Sequence, residues 1–352
     1  MAAMARRSPH RRLSHRARKR ILGVVRAVLG LAVLAYIISL VHVEAFRPIL
    51  QARHAIWLVV AVGCLGANVY VAAWRWQTLL SILGVRERIP PLLRAIYVGA
   101  FYNLVLPGQL GGQAIKVMLL ARRSPAMTAI VASVAIDQLI VVVALFGLAL
   151  VSAAFAPPLA YRSGWLFGFG FTLLAAIALL VFSVTPRIQR GLLRRMRRWR
   201  FMPDGLRHQT TRTWLQLSSY GRYPMRLVYA IFQAVVFLLT LSGMAFGLAA
   251  AVDIELDFVT ITFVLCLALI AGVAPFTLAG LGTREATFTG VFHLFGVPTA
   301  TGAAFAVMWL LLNTLADGVG GLMQLWHPRQ TGTLERPRPP HRYPERDPSA
   351  PA

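Results

Sequence analysis

Six stretches of this chain run for roughly 20 residues with almost no charge, and no other feature narrows the range of folds so far. They are Ile21–Val43, Ile56–Ala73, Met127–Phe155, Trp165–Val184, Leu227–Val252 and Thr299–Trp326. About 20 apolar residues coiled as a helix cross the hydrocarbon core of a bilayer. In lipid every backbone N–H and C=O must be satisfied within its own segment, which leaves the helix as the form such runs can take. The expectation is an all-α polytopic membrane protein. Composition agrees, with 57% hydrophobic and 14% charged residues against ~45–50% and ~25% in ordinary globular chains.

The net charge of +24 would suggest phosphate binding in a soluble chain. Here the cations lie in blocks between the apolar runs, which excludes a nucleic-acid reading and sets orientation instead, because Lys and Arg of short loops stay cytoplasmic. The blocks are Arg6–Arg20, Arg187–Arg226 with "RRMRRWR" at Arg194–Arg200, and Arg329–Arg346. Opposite them lie the Arg-poor "PPLAYRSG" from Pro157 and the acidic "VDIELD" from Val252. Both termini are therefore expected in the cytoplasm. The division is a basic tail 1–20, a membrane domain 21–326 with a basic cytoplasmic loop 186–226, and a Pro/Arg-rich tail 327–352 without apolar residues enough for a core. The first apolar run is too long for a signal-peptide core and has no small-residue cleavage site, so it reads as an uncleaved span. The Arg194–Arg200 block would attract anionic inner-leaflet lipids. Gly205–Tyr220 fits either an amphipathic helix on the inner membrane face or a solvated loop. Trp74 and Trp76, on either side of Arg75, read as interfacial anchors.

Two apolar segments are interrupted. Leu92–Leu120 is flanked by Arg86, Arg88 and Arg94 at one end and by Arg122 and Arg123 at the other, so both ends are expected to face the cytoplasm. Pro107, Gly108, Gly111 and Gly112 stand at its middle, where the chain must turn. "APFTLAGLGTREATF", Ala274–Phe288, repeats the pattern: Pro275 and Gly280 have the separation of Pro107 and Gly112, and each motif runs on to a cation, Lys116 or Arg284. This second segment lies between outer loops. An odd number of crossings separates the two, so the second is inverted. The expected fold is six full transmembrane helices plus two oppositely oriented re-entrant helical hairpins, an inverted repeat of the kind that serves alternating access.

"WRWQTLLSILG", "YVGAFYNLVLPGQLGGQAIKVMLLARR", "SVAIDQL", "AGLGTREATF" and "NTLADGVGG" (Asn313–Gly321) together resemble the lysylphosphatidylglycerol synthase transmembrane region, the flippase-like family, over roughly Ile21–Trp326. The resemblance implies a helical domain of a bacterial plasma (inner) membrane that moves or binds lipid. Where the family's first motif commonly ends in an acidic residue and Arg, this chain has Gln113 and Lys116. Gln138 stands where an Arg usually follows the family's Asp. These departures leave the headgroup open, since Arg and Lys grip phosphate differently. Some relatives carry a soluble aminoacyl-transfer domain after the membrane region. Only a short tail follows His327, so the synthase reaction is not expected.

Ionisable residues inside a membrane are costly and mark binding or transport sites. An anionic headgroup between the broken helices would be bound by Asn103, Pro107, Gly108, Gly111, Gly112, Gln113, Lys116, Gly280, Gly282, Thr283 and Arg284. Asp137, Glu285 and Asp317 would balance charge or carry a coupling proton. The alternative is that Arg284–Glu285 or Lys116–Asp137 are ion pairs fixing helix register. The function expected is a lipid or lipid-linked-intermediate translocase rather than an enzyme. Its ligand would be a phospholipid or polyprenyl-phosphate-linked lipid, and a homodimer is compatible with it. An intramembrane lipid-modifying enzyme, or an assembly subunit of envelope lipid or glycan synthesis, is the alternative. There is no nucleotide loop, nucleophile elbow or HExxH spacing, and the two cysteines, Cys64 and Cys266, lie apart in apolar runs, so no cofactor, metal or disulfide framework is expected.

Overall fold

A computed structural model describes residues 52–105, 110–121, 126–156, 163–185, 213, 216–273 and 282–325. The apolar run Ile21–Val43, Pro107, Gly108, Gly280, Trp326 and both tails lie outside the described residues, as does 186–212 of the loop 186–226. Among the described residues the protein is all helix. The helices are α1 (Ala52–Ile82), α2 (Ile89–Val105), α3 (Leu110–Ala121), α4 (Met127–Phe155), α5 (Ser163–Val184), α6 (Pro224–Ala251), α7 (Phe258–Val273), α8 (Thr283–Leu294) and α9 (Thr299–Leu325). Five of them, α1, α4, α5, α6 and α9, are long and apolar enough to cross a membrane. They match five of the six runs read from the sequence, α4 to the residue. The protein is a multi-pass membrane protein.

Local chemistry sets the helix ends. Pro224 stands in the first turn of α6, where its missing N–H costs nothing. Asp257 caps α7: its Oδ2 accepts the N–H of Val259 and of Thr260 at 3.0 Å, and its Oδ1 accepts the Thr260 hydroxyl at 2.6 Å. Gly84 closes α1 with φ +78° while Val85 N–H returns to the Leu80 carbonyl at 3.1 Å. Asp253 closes α6 in the same way, with φ +62° and Ile254 N–H on the Ala249 carbonyl at 2.9 Å. Asp is among the few side chains that tolerate this left-handed position.

Packing follows a two-half plan. α1 to α4 and α6 to α9 each read as long helix, two short helices, long helix. α1 and α6 lie antiparallel on one another, Asn68 reaching the Phe237 carbonyl (2.7 Å) and Thr240 while Trp74 meets Tyr229 edge to face. The short helices pair within each half, α2 on α3 and α7 on α8, and the closing helices cross over: α4 packs on α7, and α9 on α2. α5 packs on α4. Small residues allow the close contacts, as in lipid-embedded bundles. A methyl group at Gly320 would strike the Tyr97 carbonyl, and one at Gly247 would stand 2.8 Å from the Trp57 carbonyl.

Four expectations need correction. The helix begun in the run Ile56–Ala73 does not stop at Ala73; α1 continues to Ile82 and carries Arg75 into the bundle, because its charge finds a partner there. Trp76 is no interfacial anchor: it is fully buried and its indole N–H donates to Ser133 Oγ at 3.0 Å. The loop 186–226 ends early, since Pro224 already opens α6. The described end of Gly205–Tyr220 also packs on the bundle rather than lying in solvent. Leu217 and Tyr220 are buried, and the Tyr220 hydroxyl donates to the Leu79 carbonyl at 3.1 Å.

Candidate functional site

Ionisable side chains gather at two places, one in each half. In the first half α1, α3 and α4 bring Arg75, Lys116 and Asp137 together. Arg75 Nε donates to Asp137 Oδ1 at 2.6 Å, and Lys116 Nζ stands 3.9 Å from Oδ2. All three are buried. The Lys116 ammonium lies 4.1 Å from the centre of the Trp76 ring and the Arg75 guanidinium 4.7 Å from that of Phe237, so ring quadrupoles supply part of what water would have given.

The hairpin beside this cluster depends on glycine. A Cβ at Gly112 would collide with the Gly99 carbonyl and the Asn103 side chain. The Asn103 side-chain oxygen accepts the Gly112 N–H at 2.9 Å, satisfying one of the free donors in the first turn of α3. Gly111 occupies that same turn. Gln113 follows, its side-chain oxygen buried without a hydrogen-bond partner among the described residues.

The second half is built differently. Glu285 is fully buried; its Oε2 accepts the Gly282 N–H at 2.7 Å, and its Oε1 pairs with Arg284 at 3.2 Å. Gly282 is required there by its φ of +88°. Thr283 opens α8, and its carbonyl accepts the Thr287 hydroxyl at 2.7 Å. The Arg284 guanidinium lies 5.8 Å from the centre of the Trp309 ring and interacts electrostatically with Asp317 on α9.

The halves share one arrangement of the cation. Each lies in the helix following the break, its Cβ opposite a glycine of the facing arm: Lys116 opposite Gly99, Arg284 opposite Gly272. Each is directed at a tryptophan ring. The sequence-derived residues thus form two sets, Asn103, Gly111, Gly112, Gln113, Lys116 and Asp137 in one and Gly282, Thr283, Arg284, Glu285 and Asp317 in the other. No ion pair joins them among the described residues. α9 links them mechanically, touching α2 through Gly320 and through the Gln324 amide, which donates to the Tyr102 hydroxyl at 3.0 Å.

Sequence reasoning missed Arg75, the closest partner of Asp137. Its signal was present, since an arginine that continues an apolar helical run needs a buried partner. Gln233 of α6 was also missed: it is fully buried, and neither polar atom of its side chain has a partner among the described residues. Among the described residues no group of His, Cys, Asp and Glu could hold a metal ion.

The family described as "Lysylphosphatidylglycerol synthase TM region" matches the chain over residues 23–321. No curated protein and no solved structure matches it.

Proposed function

The chain belongs to the lysylphosphatidylglycerol synthase TM region family, and from that premise we propose that it is a translocase of phospholipids or polyprenyl-phosphate-linked lipids that leaves them chemically unchanged. The observation carrying this reading is the pair of packed short helices in each half, α2 with α3 and α7 with α8, the second of each placing one cation against a tryptophan ring, inside an apolar bundle whose halves pack crosswise. A cation in that position costs several kcal/mol to keep from water. It is worth keeping where it meets an anion. The second arms are α3 and α8, and first-turn N–H groups other than those of Gly112 and Gly282, which Asn103 and Glu285 hold, would add donors for phosphate oxygens.

In this reading α2–α3 and α7–α8 are re-entrant hairpins entering from opposite faces of the bacterial inner membrane, with both termini cytoplasmic. The headgroup sits between them while the acyl or prenyl chains stay in lipid. Asp137, Glu285 and Asp317 hold the cations between cycles. Rocking of one half against the other across the α1–α6 contact would expose the headgroup site to each side in turn.

Reconstitution tests the proposal. Purified protein in vesicles carrying a trace of fluorescent phosphatidylglycerol, phosphatidylethanolamine or polyprenyl phosphate should accelerate loss of inner-leaflet label to an outside quencher for at least one of them. Gly112→Leu should abolish that acceleration while still yielding folded protein. Rates equal to those of protein-free vesicles for all three lipids would overturn the reading.

A further inference from the structure

The two charged sets are unequal. In the second half Arg284 faces two carboxylates, Glu285 at 3.2 Å and Asp317 through space. In the first half the single carboxylate of Asp137 is divided between two cations, one oxygen to Arg75 and the other to Lys116. Formal charge there sums to one positive, buried on every side.

Unused donors lie at the same place. Arg75 Nη1 is buried and has no acceptor among the described residues. Gln233 stands one helical turn before Phe237, over whose ring the Arg75 guanidinium lies, so its side chain shares that face of α6. The antiparallel pairing of α1 with α6, Trp74 against Tyr229 and Asn68 against Thr240, puts Gln233 between those two contacts, on the stretch of α6 along which the Arg75 side chain reaches towards Phe237. A fully buried primary amide with neither atom bonded is rare in native proteins and calls for a ligand or an ordered polar group.

We propose that Arg75, Lys116 and Gln233, from α1, α3 and α6, form a single anion site beside the first pair of short helices that takes the phosphate of one singly charged phosphodiester. Charge selects the class. A phosphodiester brings the cluster from one positive charge to zero. A phosphomonoester or diphosphate would leave a net negative charge in the same low-dielectric interior, where unpaired charge is most costly. The diester's two non-bridging oxygens match the donors on offer: the Arg75 Nη1 edge, the Lys116 ammonium and the Gln233 amide N–H. The remaining Gln233 oxygen can accept from a headgroup hydroxyl. This favours a phospholipid over a polyprenyl monophosphate as the ligand. The inference rests on the translocase reading only for what the phosphodiester is attached to.

The test is calorimetric titration of the full chain in detergent with dihexanoyl phosphatidylglycerol, dihexanoyl phosphatidic acid or inorganic phosphate. Phosphatidylglycerol should bind once per chain, with phosphatidic acid and inorganic phosphate each at least about tenfold weaker. Lys116→Met leaves the Arg75–Asp137 pair intact and should lower phosphatidylglycerol affinity about tenfold or more. Gln233→Leu removes only the orphaned amide and should weaken binding without lowering thermal stability. Two sites per chain, tighter binding of phosphatidic acid, equal binding of inorganic phosphate, or unchanged affinity in both folded variants would each overturn the proposal. Saturable binding without lipid movement in vesicles would sink the translocase reading and leave the site standing.

Discussion

Arg75 and Lys116 both approach Asp137, but removing them should have unequal consequences for stability. Arg75 makes the short contact, a charge-assisted hydrogen bond of 2.6 Å, whereas Lys116 is 3.9 Å away without one. Arg75→Met would leave Asp137 with only the distant ammonium. Breaking a buried pair costs about 3–5 kcal/mol, and partial compensation by Lys116 puts the loss near the lower end, about 3 kcal/mol. Lys116→Met loses a longer attraction and a stacking contact with Trp76 of about 0.5–2 kcal/mol. It also removes the desolvation of a second cation and its repulsion with Arg75. The net change should stay within about 1 kcal/mol. The triple change Arg75→Met, Lys116→Met and Asp137→Leu, which leaves no unpaired charge, should recover most of the single loss. Graded SDS unfolding of the purified protein in mild detergent micelles, followed by tryptophan emission, ranks the variants. If Lys116→Met falls as far as Arg75→Met, or the triple variant is no better than Arg75→Met alone, the assignment of Arg75 as the principal partner is wrong.

Gly112→Ala should push the arms of the first hairpin apart, because its Cβ meets the Gly99 carbonyl and Asn103. A loss of about 1–3 kcal/mol in the same unfolding assay is expected, while Gly63→Ala, whose Cβ would meet nothing within 4 Å, should change little. Tyr220→Phe deletes the hydroxyl that holds the loop end to the Leu79 carbonyl and should cost about 1 kcal/mol; unchanged stability would mean the loop end is not docked. At the mouth of α7, burial acts to raise the Asp257 carboxyl, but the hydrogen bonds from Thr260 and Val259 outweigh it and hold its pKa below the usual carboxylate value. Its capping contribution is therefore present above the unfolded-state pKa and lost as pH falls through the lowered folded value, so Asp257→Ala should cost about 1 kcal/mol at neutral pH and little near pH 2. An equal cost at both pH values would refute the cap. Cysteines placed at Gln109 and Leu278 in a chain lacking Cys64 and Cys266 should react with impermeant maleimide from the cytoplasmic and the outer side respectively; labelling of both from one side would sink the oppositely directed hairpins.

What the sequence determined by itself was whatever depends on near neighbours along the chain. Hydropathy summed over about 20 residues located α4 to the residue and α5, α6 and α9 within a few positions, because in lipid the helix satisfies its backbone locally. The Pro/Gly motifs led the sequence reading to expect separate short helices on either side of each, and α2 and α3, like α7 and α8, are separate helices, since backbone conformation is also a local property. The family was legible from the same glycine motifs. Tertiary structure decided everything that depends on a partner remote in sequence. Read locally, Arg75 ends an apolar run and Trp76 belongs to an interface; both are buried because Asp137 and Ser133 of α4 arrive beside them from more than 50 positions away. Lys116 and Arg284 look equivalent in the repeat. Their partners differ, two cations sharing one carboxylate in the first half and one cation facing two in the second. Gln233, an unremarked amide in an apolar helix, gained meaning only when the pairing of α1 with α6 set it on the face that the Arg75 side chain reaches along. Charge in a low-dielectric interior is settled by pairing, and the packing of the helices sets which pairs can form.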